Sequence, residues 1–272
     1  EYPSVKKYLV SFLPKLKQTG EEFINEVGVK EKTRKKSNNK WFETQDVIDY
    51  HQLLQKPKLI YYHTASAHNF FLDKEGYHIS ANCYFISNAD YSLQCILNSK
   101  LFNFVKRYLF PAFGDSENGG RVRLDANKMN VLPIRKVTST INDIFENLAN
   151  KITKKSTSFE AERFLVLNYL ESKYNIERPS KKLQNWYELE FSDFSKELEK
   201  ARKNYAKENE AEYSKLSVSE EAEWMQYFNE QKQKAEELKT EIVKTDREID
   251  QMVYELYGLT TEEIEIVENA TK

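Results

Sequence analysis

The sequence predicts a mixed α+β protein, with a small α/β module at the front and a helical region behind it. Three observations carry that prediction. Only seven glycines and six prolines punctuate 272 residues, which suits long helices better than a sandwich of short strands. From Lys58 the runs KLIYYHT, YHISANCYFIS and SLQCILNS are rich in Ile, Tyr, Phe and Cys, and turn residues separate them. After Thr138 apolar residues recur at helical spacing almost to the end. The expected division is therefore 1–140 for the α/β module and 141–272 for the helical region.

The first element is an amphipathic helix over Tyr2–Gln18, with Val5, Leu9, Phe12, Leu13 and Leu16 on one face and Pro14 kinking or shortening it. Residues 30–40 (KEKTRKKSNNK) are basic and lack periodic apolar residues, so they read as an exposed loop or mobile arm. Asp73-Lys74-Glu75-Gly76 reads as a hairpin connection between Phe70–Leu72 and Tyr77–Ile79. Asn88-Ala89-Asp90 starts a helix through Leu93, Ile96, Leu97, Leu101, Phe104 and Val105. A turn-rich stretch from Gly114 to Gly120 leads into Arg121-Val122-Arg123-Leu124, which alternates like a short strand.

Behind Thr138, Ile141, Ile144, Phe145 and Leu148 open a helix, and Thr157 with Glu160 has the pattern of a second helix start. Tyr187, Phe191, Phe194, Leu198, Ala201 and Tyr205 form one heptad-like seam. Phe228, Ala235, Leu238, Ile242, Ile249, Met252 and Leu256 form another, with Gln231 and Thr245 as its polar members. Joined by a polar link, the two read as a long antiparallel coiled-coil-like hairpin, with Phe194–Leu198 against Leu238–Ile242. Ser217 with Glu220 caps the second helix and Gly258 ends it. Thr260 with Glu263 caps a last short helix.

The net charge of −2 hides an asymmetry. Residues 1–140 hold 21 Lys and Arg against 14 Asp and Glu, while residues 141–272 hold 20 against 29. A basic front suits a polyanionic partner. No apolar run is long enough to span a membrane, and the start has no secretory signal pattern. The two cysteines, Cys83 and Cys95, fit a reducing cytoplasm. The opening at Glu1 reads as a fragment of something longer.

Several chemistries lack their residues. Transferring a methyl group from S-adenosylmethionine to a flipped base requires a glycine-rich turn and an Asn/Asp-Pro-Pro-aromatic loop. The chain has no Gly-x-Gly and no Pro-Pro, and it lacks the Gly-Lys-Ser/Thr of a phosphate-binding loop. Glu171-Ser-Lys173 and Glu237-Leu-Lys239 match a fragment of nuclease sites, but no Pro-Asp precedes either. All four histidines, His51, His63, His68 and His78, fall within 28 residues without metal-ligand spacing. What remains is basic groups mixed with aromatics. Arg34, Lys35, Lys36 and Lys40 lead into Trp41, Lys58 precedes Tyr61 and Tyr62, and Arg121 and Arg123 are followed by Lys128. Lys and Arg neutralise phosphates, and Arg and His also reach base edges. The DNA-facing candidates are Arg34, Lys35, Lys36, Lys40, Trp41, Lys58, His63, Arg121, Arg123 and Lys128, with no catalytic residue among them.

The run KWFETQDVIDYHQLLQKPKLIYYHTAS, then FLDKEGYHISANCYFIS and YSLQCILNSKLFNFVKRYLFP, resembles the TaqI-like C-terminal specificity domain. The segment RVRLDANKMNVLPI is similar to that family's Arg/Leu segment, and EIDQMVYELYGLTTEEIEIVE looks like the tail of type IIG restriction–modification proteins. The resemblance implies sequence-specific recognition of duplex DNA. It also implies adenine-N6 methylation by an N-terminal methyltransferase domain of the same parent chain. S-adenosylmethionine, and Mg2+ where a nuclease is fused, would belong to that parent and not to this fragment. Two other readings stay open at this point. One is a helical protein-interaction module without DNA readout, and the other is a metal-dependent enzyme using His63 and His78.

Overall fold

The computed structural model describes residues 2–46, 49–114 and 120–271. Helices dominate a few short strands, the mixed α+β class that the sequence predicts. There are two compact units, Glu1–Lys58 with Asp73–His78, and Leu59–Leu72 with Ile79–Lys272.

The first unit opens with α1 (Pro3–Val10), which has Pro at its start and no buried residue. Pro14 shortens the expected helix, since turns replace it after Val10. Next, β1 (Glu22–Ile24) pairs antiparallel with β2 (Lys30–Lys32), Glu22 opposite Lys32. Asn25 builds the turn by accepting from the Val27 and Val29 amides at 3.1 and 2.8 Å. The segment expected to be a loose arm over 30–40 therefore begins as a strand. Its remainder is tied down by buried Gln18, whose Nε2 donates to the Lys40 and Glu43 carbonyls at 2.8 and 3.1 Å. A 3-10 segment, Asp49–Gln55, leads toward Lys58.

The turn at Asp73 forms as expected, because the carboxylate accepts from the Glu75 and Tyr77 amides at 2.8 and 2.9 Å. Gly76 there has φ +81, a conformation that favours glycine. The hairpin does not form. Tyr77–Ile79 is not a strand, and β3 (Lys58–Tyr62) separates β5 (Phe71–Asp73) from β6 (Cys83–Ser87) in the order β5-β3-β6.

In the second unit β3 alternates: Leu59 and Tyr61 are buried, and Tyr62 is exposed. They share a core with Phe70, Leu72, Leu97, Phe102, Phe110, Leu124 and Met129. Past His63, β4 (Thr64–Ala65) joins a second sheet with β8 (Arg121–Arg123) and β7 (Ala112–Phe113), in the order β4-β8-β7. The helix expected from Asp90 is two helices, α2 (Tyr91–Asn98) and α3 (Lys100–Leu109). Asp90 caps the first, accepting from the Leu93 amide at 2.9 Å. Ser99 ends it and caps the second, accepting from the Phe102 amide at 3.3 Å. A short α4 (Ala126–Met129) follows.

The helical region begins with α5 (Ser139–Tyr174), which runs through Thr157 without a break. The Thr157 hydroxyl donates back to the Thr153 carbonyl at 2.9 Å, so it is an interior residue and not a cap. After α6 (Lys181–Gln184) come α7 (Phe191–Glu208), α8 (Val218–Tyr257) and α9 (Thr261–Ala270). Ser217 with Glu220, and Thr260 with Glu263, form the expected capping boxes, and Gly258 ends α8 in the left-handed conformation.

The α7–α8 pair is antiparallel, since Lys239 meets Glu188, Lys232 meets Glu190 and Phe228 meets Phe191. Its register differs from expectation. Phe194 packs on Trp224 and Phe228, with ring centroids 5.6 and 4.8 Å away, and not beside Leu238–Ile242. The farther part of α8 is accompanied by α5, with Lys155 bonded to Glu241 at 3.5 Å. Gln231 and Thr245 are buried polar members of the seam, as expected. At the far end Phe145 and Ala149 of α5 share a core with Ile249 and Val253 of α8 and with Cys95 and Ile96 of α2.

Candidate nucleic-acid interface

Alternation on β8 decides which side chains it offers. Leu124 is fully buried and Val122 half-buried, so Arg121 and Arg123 share the exposed face. The strand is central in its sheet, with Arg123 opposite Thr64 and Arg121 opposite Phe113. The Leu124 amide donates to the His63 carbonyl at 2.8 Å, so the backbone at His63 adjoins the end of β8. The His63 ring lies 5.0 Å from that of Tyr84. Arg123 is partly engaged, its Nε 3.0 Å from Asp125 Oδ1. Lys128 is exposed, and its Nζ donates to the Leu109 carbonyl at 2.6 Å. The turn expected at Gly119-Gly120 falls largely outside the described residues, which omit 115–119.

Among the first unit's candidates, Lys35, Lys36 and Lys40 are exposed. Lys40 holds its ammonium 5.7 Å over the Phe42 ring, and Phe42 meets half-buried Trp41 edge-on at 5.5 Å. Two candidates are corrected. The Arg34 guanidinium donates to the Leu16 carbonyl from Nε at 3.0 Å and from Nη2 at 2.8 Å. It also bonds the Trp41 and Glu43 carbonyls, so it fastens the 34–43 segment instead of facing phosphate. Lys58 is fully buried, ion-paired with equally buried Asp73, and donates to the Leu54 carbonyl at 2.6 Å. Burial raises the Asp73 carboxyl, but Lys58 and the two turn amides outweigh it and hold the carboxyl below its ordinary value.

His63 and His78 fall in different compact units. Among the described residues no three His, Cys, Asp or Glu side chains gather where a metal ion would be held. His68 is buried. That burial, with the nearby Lys106 charge, pushes its imidazole down to about 4, so it is neutral near pH 7.

Sequence spacing missed the polar anchors at Gln18, Ser99 and Asn98, whose amide bridges the Phe70 amide and carbonyl at 2.9 and 2.8 Å. It also missed the split between Tyr61 and Tyr62, although period-two alternation in KLIYY was available to find it.

Residues 5–134 match the family model of the TaqI-like C-terminal specificity domain. Residues 138–253 match a second model, a domain of unknown function (DUF8810). No curated protein and no solved structure gives a significant match. The match gives the front region a specificity role in restriction and modification. The matched residues take in most of α1, α2–α4 and the eight strands seen among the described residues, and α2 and α3 are not free of the second matched region. Besides the shared core at α2, the Lys100 amide at the start of α3 donates to Asp250 Oδ1 of α8 at 2.8 Å. Burial raises that carboxyl to about 6, against the pull of the Lys100 amide and charge. Among the described residues no helix is long and apolar enough to cross a membrane.

Proposed function

We propose that the TaqI-like domain reads duplex DNA for a restriction–modification enzyme of the type IIG kind. In this reading it directs adenine-N6 methylation by a methyltransferase domain of the same parent chain, in the cytoplasm. The family match carries the reading, and the exposed Arg121–Arg123 face on a central strand supports it. A β-ribbon fits the major groove, and an arginine fork bonds guanine O6 and N7 together. Lys35, Lys36 and Lys40 suit phosphates, which position a protein without reading sequence. S-adenosylmethionine, and Mg2+ where a nuclease is fused, would be bound by other domains of the parent. The chain has no Gly-x-Gly turn for the first.

The test is made in the parent enzyme, by competition between cognate and scrambled duplexes. Arg121→Ala or Arg123→Ala is expected to cost about 1–3 kcal/mol and relax preference at one base pair. Arg121 is the better candidate, since Arg123 already leans on Asp125. Lys35→Ala with Lys36→Ala is expected to weaken binding equally on all sequences. Exchanging residues 40–135 for those of a relative is expected to change the methylated motif. An unchanged motif after that exchange would overturn the reading.

A further inference from the structure

The helical region is acidic as a whole, yet one face of α7 is not. At 3.6 residues per turn, Lys196, Lys200, Lys203 and Lys207 fall within about 60° of arc, along roughly 16 Å of helix. All four are exposed, while Phe194 and Leu198 bury the opposite side. Three of the helix's carboxylates are already paired, one of them with the first lysine of the row. Asp193 pairs with Lys196 at 3.0 Å, Glu197 with Lys182 at 3.4 Å, and Glu199 with Arg202 and Tyr213. Glu208, at the end of the helix, is exposed. Among the described residues, Lys200, Lys203 and Lys207 have no carboxylate at ion-pair distance. On α8, Lys232 and Lys239 are paired with Glu190 and Glu188, and the exposed Lys234 and Lys244 lie about 80° apart round the helix, so they form no row. Lys203 lies 5.5 Å over the Tyr213 ring, and exposed Lys215 follows on the link to α8.

We propose that this face of α7 is a second, sequence-independent binding surface for the phosphate backbone of duplex DNA. Successive lysines rise about 4.5–6 Å along the helix. One DNA strand carries a charge every 3.4 Å or so of axis, which flexible lysine side chains can follow. The stripe belongs to the same compact unit as β8. The proposal rests on the DNA-reading function above and assigns a role to the region matched only to a domain of unknown function.

The experiment measures the affinity of the 272-residue chain for a labelled duplex of about 30 base pairs across a salt series. The triple variant Lys200→Gln, Lys203→Gln, Lys207→Gln is expected to flatten the slope of log K against log salt by about 0.9 for each phosphate that is no longer neutralised. Affinity falls equally on cognate and scrambled duplexes. The corresponding triple arginine variant keeps the wild-type slope, and circular dichroism checks that α7 stays helical. A control removes the same charge at Lys154, Lys234 and Lys244, all exposed on α5 and α8, and leaves the slope unchanged. An unchanged slope in the α7 variant, or an equal flattening in the control, overturns the proposal while sequence preference at β8 still stands. If the wild-type chain binds no duplex at all, the DNA-reading function itself falls.

Discussion

The strand-bearing front and the helical rear hold themselves together by different means. In the front, short strands are fixed by side chains that reach backbone or charge far along the sequence. Gln18 spans to Lys40, Arg34 to Leu16, Lys58 to Asp73 and Asn98 to Phe70. In the rear, helices are capped by residues three positions away and pack along a seam of Phe194, Leu198, Trp224, Phe228 and Ala235. One arrangement concentrates its order in a few polar anchors, and the other spreads it over many apolar contacts. Damage should therefore be abrupt in the front and graded in the rear.

The strongest way to break that comparison is the buried ion pair. Asp73→Ala leaves the Lys58 ammonium without its counter-charge, and is expected to cost about 3–5 kcal/mol in urea unfolding. The double variant Lys58→Met, Asp73→Leu should be far milder, because no charge remains buried. Similar losses from both would show that packing, and not the charge, holds this turn.

A pH titration comes next. His68 is neutral in the fold, with its value pushed from 6.5 to about 4. The unfolded chain takes up the proton first, so stability is complete above pH 6.5 and falls as the pH drops toward 4. The full difference is about 3 kcal/mol. Asp250, raised to about 6, works the other way. Its contribution is present at low pH and is lost as the pH rises through 6. The measurement is therefore the difference between wild type and His68→Leu, which should shrink as the pH falls from 6.5 to 4. A difference that does not move with pH would mean that His68 is not desolvated.

Smaller effects separate Arg34 from its neighbours. Arg34→Ala removes bonds to three carbonyls and should lower stability by about 2 kcal/mol, a range set by hydrogen bonds to charged groups. Lys35→Ala and Lys36→Ala, both exposed, should stay within about 0.5 kcal/mol. Equal effects at the three positions would return this segment to the loose arm suggested by its composition.

How much of this was legible follows the same division. The class, the last two helices with their caps, the stop at Gly258 and the shared face of Arg121 and Arg123 all rest on spacings of two to four residues. The sheet order does not, because nothing within Phe70–Ile79 says that β3 will lie between β5 and β6. Lys58 looked like part of a basic cluster because its partner is fifteen residues away, and burial belongs to the pair. The α7–α8 register was out of reach for a related reason. A three-four repeat defines a face but not the offset between two faces, and the aromatic set at Phe194, Trp224 and Phe228 settled it here.

The mildest prediction tests why one local signal succeeded and an identical one failed. Ser217-Val-Ser-Glu220 and Thr157-Ser-Phe-Glu160 both fit the capping pattern. At Ser217 the chain arrives from a link that includes Glu210 at φ +50. The hydroxyl accepts from the Glu220 amide at 3.3 Å, and the Glu220 carboxylate accepts from the Ser217 amide at 2.8 Å. At Thr157 the helix is already running, and Thr153 bonds back to Ala149 just as Thr157 bonds to Thr153. The preceding turn supplies carbonyl partners for the amides that a cap would serve, so the pattern has nothing to satisfy. Ser217→Ala should therefore cost about 1 kcal/mol. Thr157→Ala should lie within roughly 0.5 kcal/mol of wild type and on the stabilising side, since alanine is the better interior helix former. Urea midpoints at constant m-value read both. A loss at Thr157 as large as that at Ser217 would mean that α5 breaks there in solution, and that the local signal was right.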